Sequence, residues 1–355
     1  MFGGRRPPSD LGHVANRAGT RVRPLGNRSN AMVDLEEHGA VTLYFNALEQ
    51  VRDELRAFLG LSPARPVPIV ETLSVSPEDG YVLYSIRLVT EDDSIPALLA
   101  VPSGPGPFPA VVVFHQHAGQ RHVGKSEVFG LVGDPYQAFG PELARAGFVV
   151  LAPDSIAFED RRPAGVGTDP RDDDWDQHYN AMASRLVAGD TLMRKVLVDA
   201  MAAVSVLVAR DDVRQDAVTA LGHSYGGNTT LFLAALDERV RAGCASGALG
   251  SYRHKIRQGT GIEMAEVIPG FAARFDMHHV MAAIAPRPFL VVSGTDDQYA
   301  ADAQLVVDEA LAIVQALGGA QAFSHLQVKG SHALEAHRFE SIVAWIVQSA
   351  THSTT

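Results

Sequence analysis

Three residues, Ser224, Asp297 and His332, follow one another along the chain in an order that suits acyl-group chemistry. The serine lies in Gly222-His223-Ser224-Tyr225-Gly226-Gly227, after the apolar run AVTAL and before a helical pattern, NTTLFLAALD. A serine between strand and helix sits on a tight turn. Glycines two before and two after it let the backbone bend without a side-chain clash. Such a turn lifts the hydroxyl above the carboxyl ends of the strands and sets it at a helix N-terminus, where negative charge is favoured. A hydroxyl is a weak nucleophile until a base takes its proton. The expected order after it is an acid and then a histidine. PFLVVSG ends in Thr295-Asp296-Asp297, and the next run ends in Lys329-Gly330-Ser331-His332. Asp297 is the acid chosen, with Asp296 as its alternative. His332 is the base, with His325 and His337 as competitors. His325 precedes the end of the last short strand, and His337 falls inside the last predicted helix.

An oxyanion needs two fixed donors. One is the backbone N–H of Tyr225. The other is expected from the loop after AVVVF, His115-Gln116-His117-Ala118-Gly119-Gln120, with His117 chosen and Gln116 as runner-up. The same loop offers a rival use, since His115 and His117 fall on one face of an extended chain and His122 follows. Such histidines bind metals in other settings. The reading taken is no metal and no cofactor, because no carboxylate stands at a supporting spacing and a serine site needs none.

These residues require a scaffold of strands whose ends converge. AVVVF (110–114), GFVVLAP (147–153), AVTALG (217–222), VRAGCAS (240–246), PFLVVSG (288–294) and HLQVKG (325–330) are short apolar runs, as parallel strands buried on both faces are. Helical spacing fills the gaps between them. The fold class predicted is α/β, a doubly wound and mostly parallel sheet. Residues 67–101 read as further strands. Residues 33–66 read as an N-terminal helical extension, with Leu48, Val51, Leu55, Phe58 and Leu59 as its apolar stripe. Residues 1–32, with six arginines, read as a disordered tail or as a start extended beyond Met32. The catalytic domain is placed at 67–350. Two long connections, 155–190 and 250–285, read as lids or pocket walls. His115, Gln116, Arg161, Trp175 and Phe271 are the candidate pocket residues, and His178, Tyr179, Phe275 and Met277 lie in the same connections. For Arg161 an ion pair pinning its loop is the stronger reading.

Composition excludes several classes. Of 355 residues 46% are hydrophobic and 20% charged, enough to bury a large core and too apolar for a disordered chain. The net charge of −11 argues against a dedicated nucleic-acid binder. The single cysteine, Cys244, allows no intrachain disulfide and no cysteine-based zinc site, and suits a cytoplasmic location. No run is long enough for a transmembrane helix, and the N-terminus lacks the apolar core of a signal peptide. The expected partner is a small-molecule ester or lactone, with neither nucleic acid nor membrane. A homodimer is compatible with the sequence.

The motifs HQHAG (115–119), FVVLAPD (148–154), GHSYGG (222–227), APRPFLVVSGTDD (285–297) and KGSHAL (329–334) resemble the α/β-hydrolase superfamily over about residues 67–350. Within it the chain is most similar to the dienelactone hydrolase and acetyl xylan esterase branches. The resemblance implies a Ser224–His332–Asp297 triad and an oxyanion N–H at His117. It departs from dienelactone hydrolases proper, which use a cysteine nucleophile and lack the N-terminal helix and the 155–190 insertion. The function expected is a serine hydrolase acting on a carboxylic ester or lactone of small to medium size. The alternatives are an acyltransferase or cyclase on the same scaffold, a serine peptidase, and a non-hydrolytic binding protein.

Overall fold

The computed structural model describes residues 37–352 apart from positions 164 and 166. The tail expected at 1–32 lies outside the described residues. Nine strands form one sheet: β1 (Ile69–Glu78), β2 (Tyr81–Val89), β3 (Ser94–Pro102), β4 (Phe108–Phe114), β5 (Val149–Pro153), β6 (Val213–His223), β7 (Ala242–Ser246), β8 (Phe289–Gly294) and β9 (Phe323–Val328). The helices are α1 (Glu37–Phe58), α2 (Lys125–Val128), α3 (Phe139–Arg145), α4 (Asp174–Val187), α5 (Leu192–Val208), α6 (Tyr225–Leu236), α7 (Tyr252–Gln258), α8 (Phe271–Arg274), α9 (Met277–Ile284), α10 (Ala303–Ala316) and α11 (Ala336–His352).

The strand order is β1-β2-β3-β5-β4-β6-β7-β8-β9. The first three strands form an antiparallel meander, and β5 through β9 run parallel to one another. β4, β5, β7 and β8 are buried at nearly every position because both faces are covered, whereas β6 opens with the polar Arg214, Gln215 and Asp216 and the edge strand β9 is partly exposed. In β4, Ala110, Val112 and Phe114 enter one core and Val111 and Val113 the other, as alternation along a strand requires. α1, α5, α6, α9 and α10 build the first core, and α3 and α11 the second. β1 differs: it pairs only with β2 among the described residues and is exposed at all ten positions.

The apolar stripe of α1 docks on the α9 side. Leu48 and Leu55 are buried there, and Arg52 donates to the carbonyls of Ala283 at 2.8 Å and Ala285 at 2.6 Å. The two long connections carry helices. The first contains α4. The second contains α7, α8 and α9, with Phe271, Phe275 and Met277 inside the main core. No helix among the described residues is long and apolar enough to cross a membrane.

Candidate active site

β6 runs straight into α6, and Ser224 is the one residue between them. Its φ of 54° and ψ of −117° fall where non-glycine residues are rare, the mark of a turn held by its surroundings. The flanking glycines are forced by contact. A Cβ on Gly222 would lie 2.2 Å from the Gly226 backbone, and one on Gly226 would lie 2.1 Å from the Phe114 carbonyl oxygen. The end of β4 therefore presses on the turn, which brings the 115–119 loop beside the first-turn N–H groups of α6. Those N–H groups have no partner within the helix.

Asp297 follows β8 and His332 follows β9. His332 Nε2 lies 2.8 Å from Ser224 Oγ, and its Nδ1 lies 3.0 Å from both Asp297 oxygens. A carboxylate accepts at Nδ1, so Nδ1 carries the proton and the Nε2 lone pair faces the hydroxyl. Asp297 is 2% exposed, and its carboxylate also accepts the Tyr299 N–H at 3.0 Å. Asp296 is exposed and accepts from Thr295 instead. His325 is engaged by Ser293 and Gln304, and His337 is exposed on α11.

Two supports had no sequence signal. Arg338 is fully buried and donates to the carbonyls of Ser331 (2.9 Å) and His332 (3.3 Å), so it braces the histidine's own backbone. His223 packs against His332 with ring centroids 5.0 Å apart, and burial holds its imidazole neutral. Only the fold could reveal either contact, because an arginine inside a helical pattern and a histidine inside a turn motif look alike whatever they touch.

The 115–119 loop is pinned by its side chains. His115 donates from Nδ1 to the Gln116 carbonyl (2.8 Å) and accepts the Ser155 N–H at Nε2 (3.1 Å). Gln116 donates to Glu127 at 3.1 Å. His117 accepts the Gly119 N–H at Nδ1 (3.1 Å). Burial lowers the pKa of His115 to about 4 and those of His117 and His178 to about 3. The same cause raises Glu263 to about 7 and pushes the Cys244 thiol and the Tyr225 phenol well up.

Several expected pocket residues do other work. His115 braces its loop, both ring nitrogens being engaged. Arg161 is pinned between Asp93 and Asp199 and is buried, which leaves no fork for a substrate carboxylate. Trp175 is 52% exposed and stacks on Tyr179 at 5.3 Å on the outer face of α4. Phe271 is fully buried among Phe58, Phe232, Tyr252 and Phe275, which makes it core rather than lid. The trio His115, His117 and His122 does not assemble around an ion, since His115 is engaged as above and His122 faces Asp174 at 3.7 Å. Asp154, Glu159 and Asp160 converge instead on the buried Lys125 ammonium, which supplies the counter-charge that buried carboxylates need.

Residues 95–305, more than half of the chain, match the dienelactone hydrolase family. The chain belongs to this family. A relative within reach of sequence comparison is YtaP of Bacillus subtilis (strain 168), named only provisionally as a hydrolase. It is 28% identical over 255 residues, covering 70% of this chain and 80% of YtaP. Among solved structures, a Bacteroides fragilis NCTC 9343 protein provisionally described as an acetyl xylan esterase superposes with a TM-score of 0.63 at 18% identity. It covers 86% of this chain and 88% of its own. A glucuronoyl esterase from Solibacter usitatus gives 0.61 at 16% identity, over 84% and 92%. The α/β-hydrolase fold of these structures is the fold of this member of the dienelactone hydrolase family.

Proposed function

We propose that this hydrolase cleaves carboxylic esters or lactones of small to medium size through an acyl-enzyme on Ser224. The observation that carries the reading is the unbroken hydrogen-bonded line from Ser224 Oγ through His332 to Asp297. Ser224 Oγ attacks the carbonyl carbon as His332 Nε2 takes its proton. Asp297 holds the imidazole in the required tautomer and stabilises the imidazolium. The backbone N–H groups of Tyr225 and His117 hold the oxyanion. His332 then gives the proton to the leaving alkoxide, the C–O bond breaks, and the acyl group stays on Ser224. Water repeats the sequence and releases the acid. The ester-cleaving names of the structural neighbours agree with this reading, and the single buried Cys244 suits a cytoplasmic setting.

The test is hydrolysis of p-nitrophenyl esters from acetate to decanoate by wild type and by Ser224→Ala. Wild type is expected to turn over, with the variant lower by at least about a thousandfold. A Ser224→Ala variant that keeps wild-type rates would sink the serine mechanism. A wild type that hydrolyses no ester, while a fluorophosphonate still labels Ser224, would move the substrate elsewhere.

A further inference from the structure

His117, His178 and Glu263 come from three separate segments: the loop after β4, α4, and the stretch just before the 3-10 turn at Met264–Glu266. One ligand-capable atom from each lies within 4.8 Å of the other two. His178 is 0% exposed, and neither of its ring nitrogens has a hydrogen-bond partner. Glu263 Oε1 is also buried and unpartnered, while its carboxylate accepts the Ala265 N–H at 2.7 Å through Oε2. Buried polar atoms left unsatisfied are costly, so such groups are normally met by something.

A cation would meet all three groups at once. Buried carboxylates are paired with positive charge or coordinate a metal. This chain shows the first solution 154–160, where Lys125 fills the centre of three carboxylates. Around Glu263 no ammonium or guanidinium plays that part: Arg121, whose field reaches the carboxylate, makes no hydrogen bond to it among the described residues. Two imidazoles and a carboxylate form a donor set that holds zinc and its neighbours. The Ala265 N–H steadies the second carboxylate oxygen, as outer contacts do for metal ligands. We propose that His117, His178 and Glu263 bind a divalent transition-metal ion, zinc as the reference case, with further positions open to water. Binding costs the Gly119–His117 hydrogen bond whichever ring nitrogen coordinates. Nδ1 must either give up the amide to the ion or take the proton when Nε2 coordinates. The ion would clasp the oxyanion loop to α4 and to the 263 segment.

The experiment uses full-length protein stripped with a chelator. Zinc is titrated calorimetrically, and cobalt is followed by its visible absorption. One equivalent is expected in wild type. His178→Ala and Glu263→Gln are expected to bind at least about tenfold more weakly and to lose the intense cobalt bands of a low-coordinate site. His325→Ala should bind as wild type does. If His178→Ala fails to fold, the nearly isosteric Glu263→Gln carries the test. Ser224→Ala should also retain the ion, so the outcome is independent of esterase activity. Wild type that takes up no stoichiometric metal overturns the proposal, as does Glu263→Gln with unchanged affinity. Should wild type bind no metal while Glu263→Gln raises KM selectively for esters with a hydroxyl beside the carbonyl, the cluster is a hydrogen-bonding pocket for substrate and the metal site is refuted.

Discussion

Asp296 and Asp297 are neighbours with the same chemistry in opposite surroundings. Asp297 is buried against His332 Nδ1, and Asp296 points to solvent. Asp297→Asn keeps the shape but removes the charge that fixes the imidazole tautomer. The expected result is a folded protein with kcat lower by about 10³–10⁴, judged from the effect of this change in other triads. Asp296→Asn should stay within about threefold of wild type in the same ester assay, since an exposed charge contributes little. The serine and the histidine were legible because each sits at the end of an apolar run. For Arg161 the ion pair was the stronger reading, although nothing in the sequence said that Asp93, 68 residues away, would supply it. The surroundings of Trp175 and Phe271 were not legible: Trp175 stacks on Tyr179 one turn along α4, and Phe271 meets rings from distant parts of the chain. A phenylalanine in a long connection reads the same whether it faces substrate or, as here, other rings.

At the scale of elements, the β6–α6 turn depends on how closely β4 approaches it. Gly226→Ala would place a methyl 2.1 Å from the Phe114 carbonyl oxygen, and neither piece of backbone can yield cheaply. Stability should fall by about 1–3 kcal/mol, the range for overpacking a tight interior. Activity should be lost even where the variant stays folded, because the turn that aims Ser224 must shift. Urea unfolding and the ester assay, run together, separate the two effects. If Gly226→Ala matches wild type in both, the close approach does not exist. The parallel strands were plain in the sequence, since continuous apolar runs bounded by glycine and proline have few other fates. The connections were harder. α4 carries a mixed face, and α9 is only eight residues long, so neither has the sustained periodicity that separates a helix from a loop. Glu263 had no signal at all, because it lies in a stretch without a motif and gains its meaning from His178.

Across the whole molecule, α1 ties a helix made early to a segment made late. Arg52 is 5% exposed and satisfies two carbonyls at the end of α9, just before β8. Arg52→Ala strands the Ala285 carbonyl, leaves that of Ala283 only the long Arg287 contact at 3.5 Å, and removes a charge-assisted bond from each. A loss of about 2–3 kcal/mol is expected in urea unfolding. Glu54→Gln, which breaks a pair with Arg274 on the half-exposed surface, should change stability by less than about 0.5 kcal/mol. Equal effects from the two would mean that α1 is a surface ornament rather than part of the core.

The docking of α1 also sets a clock. Arg52 and Ala283 are 231 residues apart. At a synthesis rate of about 5–20 residues per second, α1 leaves the ribosome roughly 10–50 s before its seat on α9 exists. Until α6 and then α9 are made, Leu48, Leu55 and Leu59 lack their native cover. α1, the first of the described helices, is therefore seated long after it is made, and the main core still awaits α10 and β9 when α9 arrives.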